Sequence, residues 1–236
     1  MLQSGRSLAM FAMFVIVAGV TCAPALHAAE SPISEAEQKV FLDDHLHGVA
    51  APAVVRYRFS KTGTLERHFD DAVMLTIKPK GRAARTVEVS YLTGEHKVML
   101  PVVEDAKANP VILYFLEQDV REMHRRLGGS ENYFRRRIRL ALAEAAQVRP
   151  LSVLVNGKQV AASEVVIRPY VDDPMTARLG PFVNKSYAFT LSDQVPGGVV
   201  QVRSRVDADA AAKGGPAPQE GTLLLDESLS FEKTGK

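Results

Sequence analysis

Only one long stretch of this chain keeps a helical period, and it interrupts a sequence that otherwise alternates like strands. Between Asn109 and Pro150, at about 100° per residue, Ile112, Phe115, Leu116, Val120, Met123 and Leu127 fall on one side of a first helix. Gly128 and Gly129 supply the left-handed backbone that ends a helix, and Ser130 can cap the next by accepting from its first-turn N–H groups. In the second helix Phe134, Ile138, Ala141, Leu142 and Ala145 share a face. Arg136 and Arg139 point away from that face and Arg135 sits at its edge. The pattern predicts a helical hairpin over residues 109–148, amphipathic and basic, that must lie on something apolar.

That apolar surface is expected from the flanking strands. Val54 to Phe59 alternates, with Val55, Tyr57 and Phe59 on one side and Arg56 and Arg58 on the other. Phe69 to Lys78 and Thr86 to Leu92 repeat the pattern, and a fourth strand is expected from His96 to Val103. Short connections make these four an antiparallel meander. After the hairpin, Leu151 to Val155 meets Asn156-Gly157, the strongest two-residue hairpin signal, and returns through Gln159 to Ala162. Separate strands are expected at Glu164 to Tyr170, Lys185 to Leu191, Val199 to Val206 and Thr222 to Phe231, with Glu232 to Lys236 fraying. Residues 207–221, small, polar and rich in Pro and Gly, read as a flexible connection. At the front, Ser34 and Glu37 fit a capping box for a short helix running to about Leu46.

The fold class is therefore α+β: a curved antiparallel β-sheet of about eight to ten strands, an inserted helical hairpin packed on one face, and a short N-terminal helix. A curved sheet covered by helices is similar in architecture to the half-barrel of periplasmic lipoprotein-carrier proteins. No motif of the chain carries that family over.

Residues 1–28 have the parts of a cleavable secretory signal: Arg6, an apolar run from Leu8 to Val20, and small residues near Ala28. Cys22 raises lipid attachment as an alternative, but Gly19-Val20-Thr21 departs from the usual motif. Cleavage near Ala28 would leave residues 29–236 as a single α+β domain, periplasmic or secreted, with no transmembrane segment. Cys22 is the one cysteine, so the mature chain would form no disulfide and use no thiol chemistry. Removing Arg6 leaves 28 basic against 27 acidic residues, so overall charge selects no partner.

Candidate chemistry is sparse. His68 with Asp70 shares a face of an extended strand and is the one acid/base pair to consider for a hydrolase, alone or with a distant triad member. No Gly-x-Ser-x-Gly elbow and no phosphate-binding loop occurs. His45 and His47 would lie about 200° apart on a helix and could not share an ion, so no metal and no cofactor is expected.

The hairpin's arginines carry more weight. Eight lie between Asn109 and Pro150 against five carboxylates, and Arg135, Arg136 and Arg139 are the candidates for contact with an anion or partner. The partners considered are a lipid or an acidic envelope component, and not nucleic acid. Asp119 falls near the buried face of the first helix, where a carboxylate needs a clamp; Arg56, Arg58 or Arg137 could supply it. The function read from the chain is a non-catalytic exported binding or adaptor module for an amphipathic or anionic ligand or partner. A periplasmic hydrolase using His68 and Asp70 is the alternative.

Overall fold

The computed structural model describes residues 32–81, 84–208 and 222–235. The expected signal segment and most of the expected flexible connection lie outside these residues. Ser34 accepts from Glu37 N–H and Glu37 accepts from Ser34 N–H, closing the capping box on α1 (Glu35–Glu37). The helix is shorter than the sequence suggests. It continues as one π-helical turn, Gln38–Leu42, and stops where Asp43 turns extended.

Ten antiparallel strands form one sheet among the described residues. In chain order they are β1 (Ala53–Thr62), β2 (Phe69–Lys80), β3 (Ala84–Tyr91), β4 (Val98–Met99), β5 (Val103–Glu104), β6 (Gln147–Val155), β7 (Lys158–Ile167), β8 (Ser186–Leu191), β9 (Val199–Asp207) and β10 (Leu223–Gly235). Helices α2 (Pro110–Leu127) and α3 (Glu131–Glu144) make the hairpin, and α4 (Thr176–Leu179) sits in the β7–β8 connection. The sheet order is β4-β3-β2-β1-β10-β9-β8-β7-β6, with β5 also on β3, and the sheet is curved and unclosed.

This order gives the hairpin its role. The chain leaves β5 at one edge of the sheet and re-enters β6 at the other, so α2 and α3 must cross a face of the sheet to connect them. The two blocks of strands meet where the first strand pairs with the last, Val54 opposite Gly235 to Thr62 opposite Asp226. Val55, Tyr57, Val73, Leu75, Ile77, Val87, Phe189, Val202 and Leu229, all buried, form the floor on which Ile112, Phe115, Val120, Met123, Phe134 and Ile138 sit.

Several boundaries differ from the sequence reading for physical reasons. The fourth strand is two fragments, because Gly94–His96 forms a 3-10 turn and Pro101 has no N–H to continue the ladder. The two strands expected within 159–170 are one, β7, whose residues pair without a break with β6 from Val155 to Gln147. The C-terminal segment is held as strand to Gly235 by β1, with an irregularity at Arg56/Tyr57. Pro150 is tolerated inside β6 because β6 is an edge strand. Asn156 and Gly157 form the β6–β7 turn with φ of 50° and 79°.

Candidate functional site

Two buried polar assemblies fix α2 over the sheet. The first is at its N-terminus, where Asn109 caps Val111 N–H at 3.1 Å. The Asn109 amide also donates to Tyr57 Oη and to Gly197 O, both at 2.7 Å. Its backbone N–H donates to His45 Nδ1 at 3.1 Å, and His45 Nε2 lies 2.7 Å from Lys39 O. His45 therefore holds its proton on Nε2, and burial lowers its pKa. Gly197 and Gly198 allow this closeness: a Cβ at Gly197 would meet Tyr57 Oη at 2.6 Å, and one at Gly198 would meet His45 Cβ at 2.7 Å.

The second assembly is in the middle of α2. Asp119, 2% exposed, accepts from Lys185 Nζ at 2.5 Å, from Tyr187 Oη at 2.5 Å and from Ser204 Oγ at 3.1 Å. Burial, then the Asp119 charge, pushes the Tyr187 phenol well up. The arginines expected to serve here are engaged elsewhere. Arg56 pairs with Glu232, Arg58 faces Asp70 at 4.0 Å, and Arg137 pairs with the buried Asp173 at 3.0 Å. The cation on Asp119 is a lysine of β8's leading edge instead.

With α2 so anchored, a cleft of about 590 Å³ opens between it and the β1–β3 side of the sheet. Its wall is aromatic: Phe59 packs edge-on to Phe69 and Tyr91 with centroids 6.0 and 5.9 Å away, and Phe69 meets His96 at 5.4 Å. Phe115 faces them from α2. One end is closed by a charge network. Lys61 Nζ lies 3.1 Å from Glu227, 3.6 Å from Glu66 and 4.0 Å from Glu122, while Arg126 pairs with Glu122 and Glu66. Arg121 and Arg125, both exposed, stand at the mouth. Burial, followed by the Glu227 charge, raises the pKa of the Tyr91 phenol. The arrangement offers an apolar slot with charged ends. A depression of about 870 Å³ between residues 47–53 and 193–196 is lined by His47, Asp193 and Gln194 with small residues, valines and two prolines, and has no Phe or Tyr in its wall.

The candidate residues of the sequence are not gathered in one place. Arg135 is drawn into the hairpin itself, bonded to Glu117 and Glu131, and the guanidinium holds the Glu117 carboxyl below its usual range. Arg136 and Arg139 are exposed and make no ion pair among the described residues. His68 Nε2 lies 2.9 Å from Asp70 Oδ2, with both side chains open to solvent. A hydrogen bond from Ser60, then one from His68, lowers the Asp70 pKa. The carboxylate thus stands between serine and histidine, whereas nucleophile activation needs the imidazole in the middle. His47 is exposed, and His45 is occupied by its two bonds.

The functional residues that went unnoticed in the sequence share a signal. Lys61, Lys185 and Glu227 each keep the alternating phase of an inward apolar set: Phe59 before Lys61, Tyr187 and Phe189 after Lys185, Leu225 and Leu229 around Glu227. A charge in phase with a buried face marks an internal ion pair or a cleft.

No family model and no curated protein matches the chain. Among solved structures it is similar to one chain of the Pseudomonas aeruginosa MucA/MucB complex, with a TM-score of 0.36 and 13% identity over 86% of this chain. It spans 57% of that chain's length. It is also similar to the Mycobacterium tuberculosis lipoprotein LppX, with a TM-score of 0.31 and 9% identity over 77% of this chain and 85% of the other. The α+β architecture stands on the chain's own elements.

Proposed function

We propose that this protein is an exported, non-catalytic binding module that holds the apolar part of an amphipathic ligand in the cleft between α2 and the sheet. The observation that carries the reading is the aromatic wall of Phe59, Phe69, Tyr91 and Phe115 around about 590 Å³, a size that suits a small ligand or part of an acyl chain. Support also comes from the charged network at one end and the arginines at the mouth. They leave a polar headgroup somewhere to sit while the apolar part is covered. Export rests on the signal-like residues 1–28, and intact-mass measurement of the mature N-terminus checks it.

The chain has no tryptophan, so Phe69→Trp creates a single fluorophore in the cleft wall. Titration with a lysophospholipid below its critical micelle concentration should give a saturable blue shift with one-to-one stoichiometry. An emission spectrum that never moves, in a variant with wild-type circular dichroism, would sink the reading.

A further inference from the structure

The solvent face of the hairpin carries a basic patch that begins at the cleft mouth and extends past it onto α3. Ion pairing engages three of the hairpin's seven guanidinium groups closely: Arg126 on Glu66 and Glu122, Arg135 on Glu117 and Glu131, Arg137 on Asp173. What remains is confined to one side. Leu113, Glu117, Arg121 and Arg125 follow one another at intervals of four along the outside of α2, and Arg136 and Arg139 lie three apart on the outside of α3. The Glu117–Arg135 pair bridges the two helices between these rows. Arg136 and Arg139 make no ion pair among the described residues, and Arg121 meets Glu117 only at longer range. Arg125 shares Glu122 with Arg126 while its side chain stays 69% exposed. Leu113 is 58% exposed in the first turns of α2, an apolar side chain on the same row as the arginines. The carboxylates near this face are Glu117 and Glu131, both partly exposed and held by Arg135, and the exposed Glu144 at the far end of α3.

We propose that the outer face of the α2–α3 hairpin docks on an anionic lipid surface, with Arg121, Arg136 and Arg139 meeting headgroup phosphates and Leu113 entering the interface. Charge complementarity commits the face to this partner, because guanidinium groups free of carboxylates are suited to phosphate. A half-exposed leucine among them adds apolar contact of the kind interfacial helices use. The cleft mouth lies beside the patch, since Arg121 and Arg125 belong to both. Docking would therefore bring the mouth to the membrane from which an amphipathic ligand is taken or to which it is given. The inference extends the cleft reading but is tested apart from it.

The test is co-sedimentation of the protein with vesicles of phosphatidylcholine, alone or with about one-third phosphatidylglycerol. Binding is expected to the anionic vesicles only, and to be lost near 1 M salt, where the Debye length is about 3 Å. Each basic residue near an anionic surface contributes about fivefold in partition, so Arg121→Glu/Arg136→Glu/Arg139→Glu should lower binding by at least about 100-fold. A control triple with the same charge change outside the hairpin, Lys107→Glu/Lys158→Glu/Lys233→Glu, alters exposed residues that make no ion pair among those described. It should keep most of the binding. All three positions of the hairpin triple are on the surface, and circular dichroism shows whether it folds. Equal binding to both vesicle types, or equal loss in the two triples, would overturn the proposal. Phe69→Trp should dock like the wild type, so failure of ligand binding in the cleft and failure of docking are read separately.

Discussion

Lys185 carries a charge into a place that is 0% exposed, and what makes this tolerable is that Asp119 answers it at 2.5 Å with Tyr187 and Ser204 completing the carboxylate's partners. Removing one member leaves the other charge buried, which costs about 3–5 kcal/mol. Lys185→Met should therefore lower unfolding stability by that amount in urea. The double variant Asp119→Leu/Lys185→Met should lose clearly less than the sum of the single losses, with a coupling of about 2 kcal/mol or more. Additive losses would show that the pair is not the clamp. His45 couples stability to pH. Its pKa is lowered in the folded protein from 6.5, so below pH 6.5 the unfolded chain binds a proton that the native chain resists. The sign follows: the contribution is complete above the unfolded value and is lost as pH falls from there through the folded pKa. Protonation at Nδ1 would also turn the acceptor of Asn109 N–H into a donor. His45→Gln should flatten the stability difference across that window, as read from urea midpoints at successive pH values. These roles differ in how far the sequence revealed them. Lys185 was visible in principle, through its phase with Tyr187 and Phe189, but Asn109 was not. Its four bonds reach His45, Tyr57, Gly197 and Val111, and only the folded chain brings those together.

Among the elements, β1, β2 and β3 carry their inward residues where strict alternation puts them, because each has one face on the core and a one-residue slip would expose it. Boundaries were less legible where a distant strand supplied the partner, as β1 does for the last residues of β10. The segment after β3 illustrates a different limit. Val98, Met99, Val102 and Val103 are exposed along the sheet edge, and Pro101 interrupts their pairing with β3. Such an edge invites pairing with another chain, and a proline is one of the devices that blunt it. Pro101→Val should extend the pairing and raise concentration-dependent light scattering with little change in Tm. A variant no more prone to association than wild type would remove this role from Pro101. The three arginines singled out in α3 also separate at this scale. Arg135→Ala should cost up to about 1 kcal/mol through the partly exposed pairs with Glu117 and Glu131. Arg136→Ala and Arg139→Ala should be close to neutral in thermal denaturation.

For the molecule as a whole, the order of strands explains why there is a cleft at all. The hairpin must cross from the β5 edge to the β6 edge, and it is fastened by Asn109 at its start, by Asp119 in its middle and by Arg137 on Asp173 further along. The space beside α2 next to β1–β3 is left to aromatic side chains and to the Lys61 network. The proposed function predicts that this cleft is occupied when the protein is taken from its native host. Native mass spectrometry of the protein purified from that source, without detergent exchange, tests this most directly. A bound amphiphile at one copy per chain is the expected result for wild type, with loss of that mass in Val98→Trp, which would block the mouth. A wild-type protein that carries nothing and takes up no amphiphile on incubation, or a ligand retained equally by the blocked variant, would show that the cleft is not a ligand site.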